Sequence, residues 1–124
     1  MTISDVSQKF DIPEDTLRYY ERIGLIPPVH RTKGGIRDYT EEDRGWVEFV
    51  RCMRRAGLSI EVLIEYLRLL QIGDSTLEAR KALLVEQREL LRSKMDELRA
   101  SLDRLDYKID NYDKLSKGIG KRRG

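Results

Sequence analysis

"TLRYYERIGLIPP" (residues 16–28) sets an arginine beside two adjacent tyrosines and closes on a glycine and a proline pair. Helical spacing puts Asp15, Thr16, Arg18 and Tyr19 on or near one face and turns Leu17 and Tyr20 toward Phe10 of the preceding segment. The outward face holds groups suited to nucleic acid. Arg18 can bond guanine bidentately or clamp a phosphate, and a tyrosine hydroxyl can donate to backbone oxygens. An amphipathic core helix carries the same residue types, so the flanking sequence has to decide.

Upstream, "TISDVSQKF" (2–10) opens a helix: Thr2 caps it with Asp5 three residues on, and Ile3, Val6 and Phe10 share a face. "DIPED" (11–15) is a short turn in which Pro13, Glu14 and Asp15 suit the first turn of a second helix. That helix runs to about Ile23, and Gly24 supplies the left-handed position that ends it. Two short helices about a tight turn form a helix-turn-helix candidate. Downstream, Pro27 and Pro28 forbid further helix. Lys33-Gly34-Gly35 is a turn between "VHR" (29–31) and "IRDY" (36–39), which can pair as a β-hairpin. Thr40 caps a third helix that buries Trp46, Phe49, Val50 and Met53 and ends at Gly57. Ser59 caps a fourth, with Ile60, Leu63, Ile64, Leu67 and Leu70 inward and Gly73 at its end.

From Thr76 to Ser116 there is neither proline nor glycine. Leu77, Leu84, Leu91, Leu98, Leu105 and Tyr112 recur every seventh residue, and Met95, Leu102 and Ile109 fill alternate seam positions. Lys81, Arg88 and Ser116 interrupt that second seam. A sustained seven-residue stripe predicts a coiled coil, here a rod of roughly 60 Å at ~1.5 Å rise per residue. It requires a partner chain to bury it. The tail from residue 118, "GIGKRRG", reads as a basic, disordered end.

The whole composition agrees with a soluble helical protein: 37% charged and 40% hydrophobic. No stretch reaches the ~18 apolar residues of a membrane span, and the N-terminus lacks a signal-peptide core, so a cytoplasmic location is expected. A net charge of +2 says little about partners, but residues 16–37 hold Arg18, Arg22, Arg31, Lys33 and Arg37 against Glu21 alone. That is the local basic face a phosphate-binding surface needs. One cysteine, Cys52, and one histidine, His30, cannot assemble a metal cage. Neither can they make an acid–base constellation, and no glycine loop cradles phosphate, so no metal, cofactor or enzyme activity is expected.

In order, spacing and residue type, "MTISDVSQKFDIPEDTLRYYERIGLIPP", "GGIRDYTEED" and "RRAGLSIE" resemble the MerR family of bacterial transcriptional regulators. The resemblance implies a mainly α fold: a winged helix-turn-helix head with a small β-hairpin wing (1–40), a helical pair (41–73), and a long antiparallel coiled-coil dimerisation helix (74–117) ahead of the tail (118–124). It further implies a homodimer on double-stranded promoter DNA, at a pseudo-palindromic operator within an overlong promoter spacer. Activation then comes from distorting the duplex for RNA polymerase, which the protein affects only through the promoter. Matching positions assign DNA contacts to Ser4, Thr16, Arg18, Tyr19, Arg31, Arg37, Tyr39 and Arg54, with Lys33 added on charge.

Metal-responsive relatives carry cysteines on and beyond the long helix, and drug-binding relatives append a pocket domain. This sequence has no cysteine after Cys52 and stops eight residues past the stripe. It is similar to the short single-cysteine subgroup that responds to aldehydes and other electrophiles, which makes Cys52 the expected sensor. Arg55 favours its thiolate, while Glu48 and the end of the helix dipole oppose it. Two readings therefore stand at this point: an electrophile-sensing activator, or an effector-independent, excisionase-like DNA-bending protein in which Cys52 is a core residue.

Overall fold

The computed structural model describes the backbone of residues 1–123 and the side chains of residues 1–117. It is built of helices α1 (Ile3–Phe10), α2 (Glu14–Arg22), α3 (Glu41–Arg55), α4 (Ile60–Ile72) and α5 (Leu77–Arg123). A single 3-10 turn, Asp74–Thr76, precedes α5. The chain forms two compact units, Met1–Val85 and the part from Glu86 onward.

Local chemistry sets the helix starts. Thr2 and Thr40 each accept from the backbone N–H three residues on, and Asp5 and Asp43 accept in return from the N–H of the capping residue. Ser59 caps α4 by accepting from the Val62 N–H. The turn between α1 and α2 is tight because Asp11 enters the left-handed region at φ 54°, a conformation Asp tolerates better than most residues. Gly24 ends the α2 segment at φ 82°.

The core of the first unit gathers Val6 and Phe10 from α1, Leu17 from α2, Leu25 and Ile26 after it, Val47 and Val50 from α3, and Leu63 from α4. The structure refines the sequence reading at four places. On α3, Val47 and Val50 are the buried residues, whereas Trp46, Phe49 and Met53 are half-buried against the core's edge. The rings of Trp46 and Phe49 cluster there with Tyr66 of α4, centroids 5.9–6.3 Å apart. The wing hairpin is a single antiparallel bridge, Arg31 to Arg37. It is framed by Thr32 N–H to Ile36 carbonyl (2.8 Å) and Asp38 N–H to His30 carbonyl (2.7 Å). Prolines 27 and 28 have no N–H to extend the ladder.

Between α4 and α5 the sequence reading had only a break. Thr76 is buried there, its hydroxyl 2.7 Å from both the Leu69 and Gly73 carbonyls, and Arg80 Nε donates to it at 3.0 Å. Finally, α5 continues to Arg123, so the disordered tail expected from residue 118 has helical backbone through 123. A glycine in an exposed helix costs only ~1 kcal/mol relative to alanine and does not oblige the helix to stop. The tail's side chains and residue 124 lie outside the described residues.

In the second unit, α5 carries its stripe in the open: Met95, Leu98, Leu102, Leu105, Ile109 and Tyr112 are all exposed on the single chain, and Leu91 is half-buried. In the first unit Leu77 and Leu84 are exposed as well. No helix among the described residues is long and apolar enough to cross a membrane.

Candidate nucleic-acid interface

The side chains of α2 divide as helical geometry requires. Leu17 is fully buried, Tyr20 packs partly against the core, and Arg18 and Tyr19 face solvent. Arg18 is not free. Its Nη1 donates to Asp15 at 2.9 Å and its Nη2 lies 3.8 Å from Glu14, both exposed pairs along one helix. The Arg22 guanidinium stacks over the Tyr19 ring at 5.3 Å, which holds the tyrosine's orientation.

The wing is fastened to α2 by Glu21. Its two carboxylate oxygens accept from the Val29 N–H at 3.0 Å and from Arg37 Nε at 2.8 Å. With only 14% and 23% of their side chains exposed, Glu21 and Arg37 form the least solvated side-chain ion pair among the described residues. Arg37, expected as a DNA contact, thus commits one of its five N–H groups to the fold and retains the others. Arg31 Nη1 donates to the Gly35 carbonyl at 2.8 Å and braces the wing from within. Lys33 is exposed at the tip, and among the described residues it makes no side-chain hydrogen bond or ion pair. Ser4 is exposed on α1.

Tyr39 corrects the sequence reading. Expected to face DNA, its side chain is 0% exposed and belongs to the core. The backbone goes with the reversal: the Tyr39 N–H donates to the Met1 carbonyl at 2.7 Å, and the ring lies within the core cluster. Its hydroxyl is buried without a hydrogen-bond partner among the described residues. Burial raises the phenol's pKa above its ordinary value, with the positive charge of Arg37 partly opposing the shift.

Thr16 opens onto a feature that sequence reading missed. A cavity of about 310 Å³ lies between α2 and the end of α3, lined by Asp11, Thr16, Tyr20, Arg51, Arg54 and Arg55 among others. Of its three arginines only Arg54 is an expected DNA contact, and its Nη1 donates to the Leu58 carbonyl at 2.8 Å, closing the α3–α4 turn. Arg51 Nε is buried with no partner among the described residues. Three guanidiniums against one carboxylate suit an anion such as a phosphate oxygen. The signal was legible in "RCMRR" (51–55), where positions 51, 54 and 55 share a helix face.

Cys52 is exposed, in the last turn of α3. The core-residue reading of this thiol is therefore wrong for the single chain. No group of three or more metal-binding side chains occurs among the described residues.

Two short helices about a tight turn, a second helix that turns Arg18 and Tyr19 to solvent, and a wing pinned to it define a winged helix-turn-helix, DNA-binding class of protein. The comparisons agree. Residues 1–70 match the MerR HTH family regulatory proteins, and residues 44–107 match the family described as MerR, DNA binding. The chain belongs to the MerR family, whose members are DNA-binding regulators and not enzymes.

It is 58% identical over 91 residues to the HTH-type transcriptional regulator AdhR of Bacillus subtilis, which covers 73% of this chain and 65% of that one. The chain thus spans slightly less than two thirds of the first two curated relatives, 65% and 64%, and about half of others. Among solved structures it resembles a MerR family transcriptional regulator from Listeria monocytogenes. The TM-score is 0.88 with 55% identity, over 91% of this chain and 86% of that one. It also resembles HiNmlR, a MerR family regulator lacking the sensor domain and bound to promoter DNA. There the TM-score is 0.82 with 33% identity, over 91% and 90% of the two chains.

Proposed function

We propose that this chain acts as a homodimer on promoter DNA, places α2 of each protomer in the major groove of one half-site, and activates transcription by distorting an overlong spacer in response to an electrophile captured at Cys52. The exposed, wing-braced face of α2 with Arg18, Tyr19 and Arg22 carries the DNA-binding part of this reading, and the promoter-bound relative supports it. Base contacts fall to Thr16, Arg18 and Tyr19. Ser4, Arg31, Lys33 and the uncommitted N–H groups of Arg37 hold the backbone on the flanks. The Arg51, Arg54 and Arg55 cavity grips a phosphate beside Thr16. Dimerisation falls to Leu77, Leu84, Leu91, Met95, Leu98, Leu102, Leu105, Ile109 and Tyr112, whose apolar stripe is mostly exposed on the single chain. RNA polymerase responds through the DNA, by phosphate clamps that deform the duplex without reading its centre.

The sensing part rests on the solvent exposure of Cys52. Aldehydes, quinones and related electrophiles add directly to a thiolate, so a single accessible cysteine suffices as detector. The experiment compares wild type with Cys52→Ala, measuring promoter occupancy and transcript yield with and without an added aldehyde. The wild type should gain transcript at nearly constant occupancy, and the variant should bind equally well and not respond. An aldehyde response retained in Cys52→Ala ends the sensor assignment, and no response in the wild type leaves an effector-independent DNA-bending protein as the alternative.

A further inference from the structure

The DNA-facing side of α2 carries a carboxylate where a phosphate-binding surface calls for cations. Asp15 stands in the first turn with its side chain 98% exposed, and its Oδ1 accepts from Arg18 Nη1 at 2.9 Å. Capping does not account for it, because Pro13 is the cap residue and makes no side-chain cap hydrogen bond. Complementing the helix dipole does not single it out either, since Glu14 in the same turn serves equally.

In the groove, duplex DNA surrounds such a group with one phosphate charge per ~1.7 Å of axis. A carboxylate is tolerated there only where the DNA offers a hydrogen-bond donor. The phosphates offer none. In the major groove the donors are the amino groups of cytosine and adenine. Adenine sets the N7 acceptor beside its amine, which repels a group that can only accept, whereas the cytosine edge presents the amine alone. Meanwhile the paired Arg18 is held with donors to spare, and guanine O6 and N7 are the acceptors that match a guanidinium.

We infer that Asp15 is a specificity-determining residue: its carboxylate accepts from the amine of a cytosine in each half-site while it orients Arg18 toward guanine. This rests on α2 being the recognition helix, as proposed above.

The test selects sequences from a duplex library with a randomised 30-base-pair core, using the full chain and its Asp15→Asn variant. A fixed duplex of unrelated sequence and equal length serves as reference. Wild type should enrich a symmetric pair of cytosines next to guanines, discriminating against other bases there by roughly tenfold. Asn carries both a donor and an acceptor and pairs with adenine. Asp15→Asn should therefore lose the cytosine preference or exchange it for adenine, keep the remaining positions, and bind the fixed duplex more tightly than wild type. The inference is overturned if the variant enriches the wild-type sequences and gains affinity uniformly, for then Asp15 is only an electrostatic brake on Arg18. If wild type enriches nothing above the fixed duplex, the recognition-helix reading fails and this inference falls with it. Asp15 is fully exposed, so the variant's thermal midpoint should match wild type and separate loss of reading from loss of fold.

Discussion

Tyr39 brings a hydroxyl into the core with nothing among the described residues to receive it. A buried unsatisfied polar group costs ~1–3 kcal/mol. Tyr39→Phe removes the hydroxyl and keeps the ring, so it should raise stability by about 1 kcal/mol and leave DNA affinity unchanged, as read from denaturant unfolding and an operator titration. The sign of the pH effect follows from the raised pKa. Below the unfolded value of ~10 both states are neutral and the stability is fully present. As pH climbs through the folded pKa that stability is lost, because the unfolded chain releases its proton first. Wild type should therefore unfold more readily above pH ~10 than at pH 8, by a margin that shrinks in Tyr39→Phe. An unaltered margin would mean that the phenol is not what burial penalises. The sequence made Arg18 and Tyr19 legible because helical spacing fixes which way a side chain points. It hid Tyr39 because an extended residue's direction depends on distant pairing, here with Met1, 38 positions away. Glu21 was hidden for the same reason: its partners Val29 and Arg37 become neighbours only when the wing folds back.

Elements were more legible than individual contacts. Thr2, Thr40 and Ser59 begin helices where the capping pattern put them, and Gly24 and Gly73 sit at helix ends with positive φ. Hydroxyl caps and left-handed glycines act within a few residues, so the sequence contains the whole cause. Less legible were the reach of α5 and the division of α3 between core and edge, which tertiary packing decides. The heptad stripe does make a prediction at this scale. Leu98 and Leu102 are 70% and 52% exposed on the single chain. Burying each leucine against a partner contributes ~1.5–3 kcal/mol, and twofold symmetry counts every substitution twice. Leu102→Arg should thus weaken self-association by roughly 10²–10⁴-fold, measured by sedimentation equilibrium. The helical content of the head should persist, since Leu102 lies in the second unit. An unchanged dimerisation constant would place the interface on another face.

For the molecule as a whole, a net charge of +2 gives little bulk attraction to DNA, so affinity has to come from where cations are concentrated. Two such places exist in the first unit: the wing with α2, and the cavity lined by Arg51, Arg54 and Arg55. The second differs from ordinary surface charge. In it Arg51 Nε is buried and unpartnered among the described residues, and Arg51 and Arg55 form no ion pair there. A phosphate seated in that cavity releases counterions as it binds, and each neutralised phosphate steepens the salt dependence of log K by ~0.9. Arg51→Ala and Arg55→Ala should each weaken binding to every duplex alike and flatten the slope by about one per protomer, hence about two for a dimer. Asp15→Asn works in the opposite sense, changing which sequences bind while raising affinity for the unrelated duplex. Salt titrations on a selected and an unrelated duplex separate the two kinds of group. If Arg51→Ala alters the preference between duplexes and leaves the slope intact, the cavity reads bases instead of holding the backbone. The division of labour between α2 and the end of α3 would then have to be reversed.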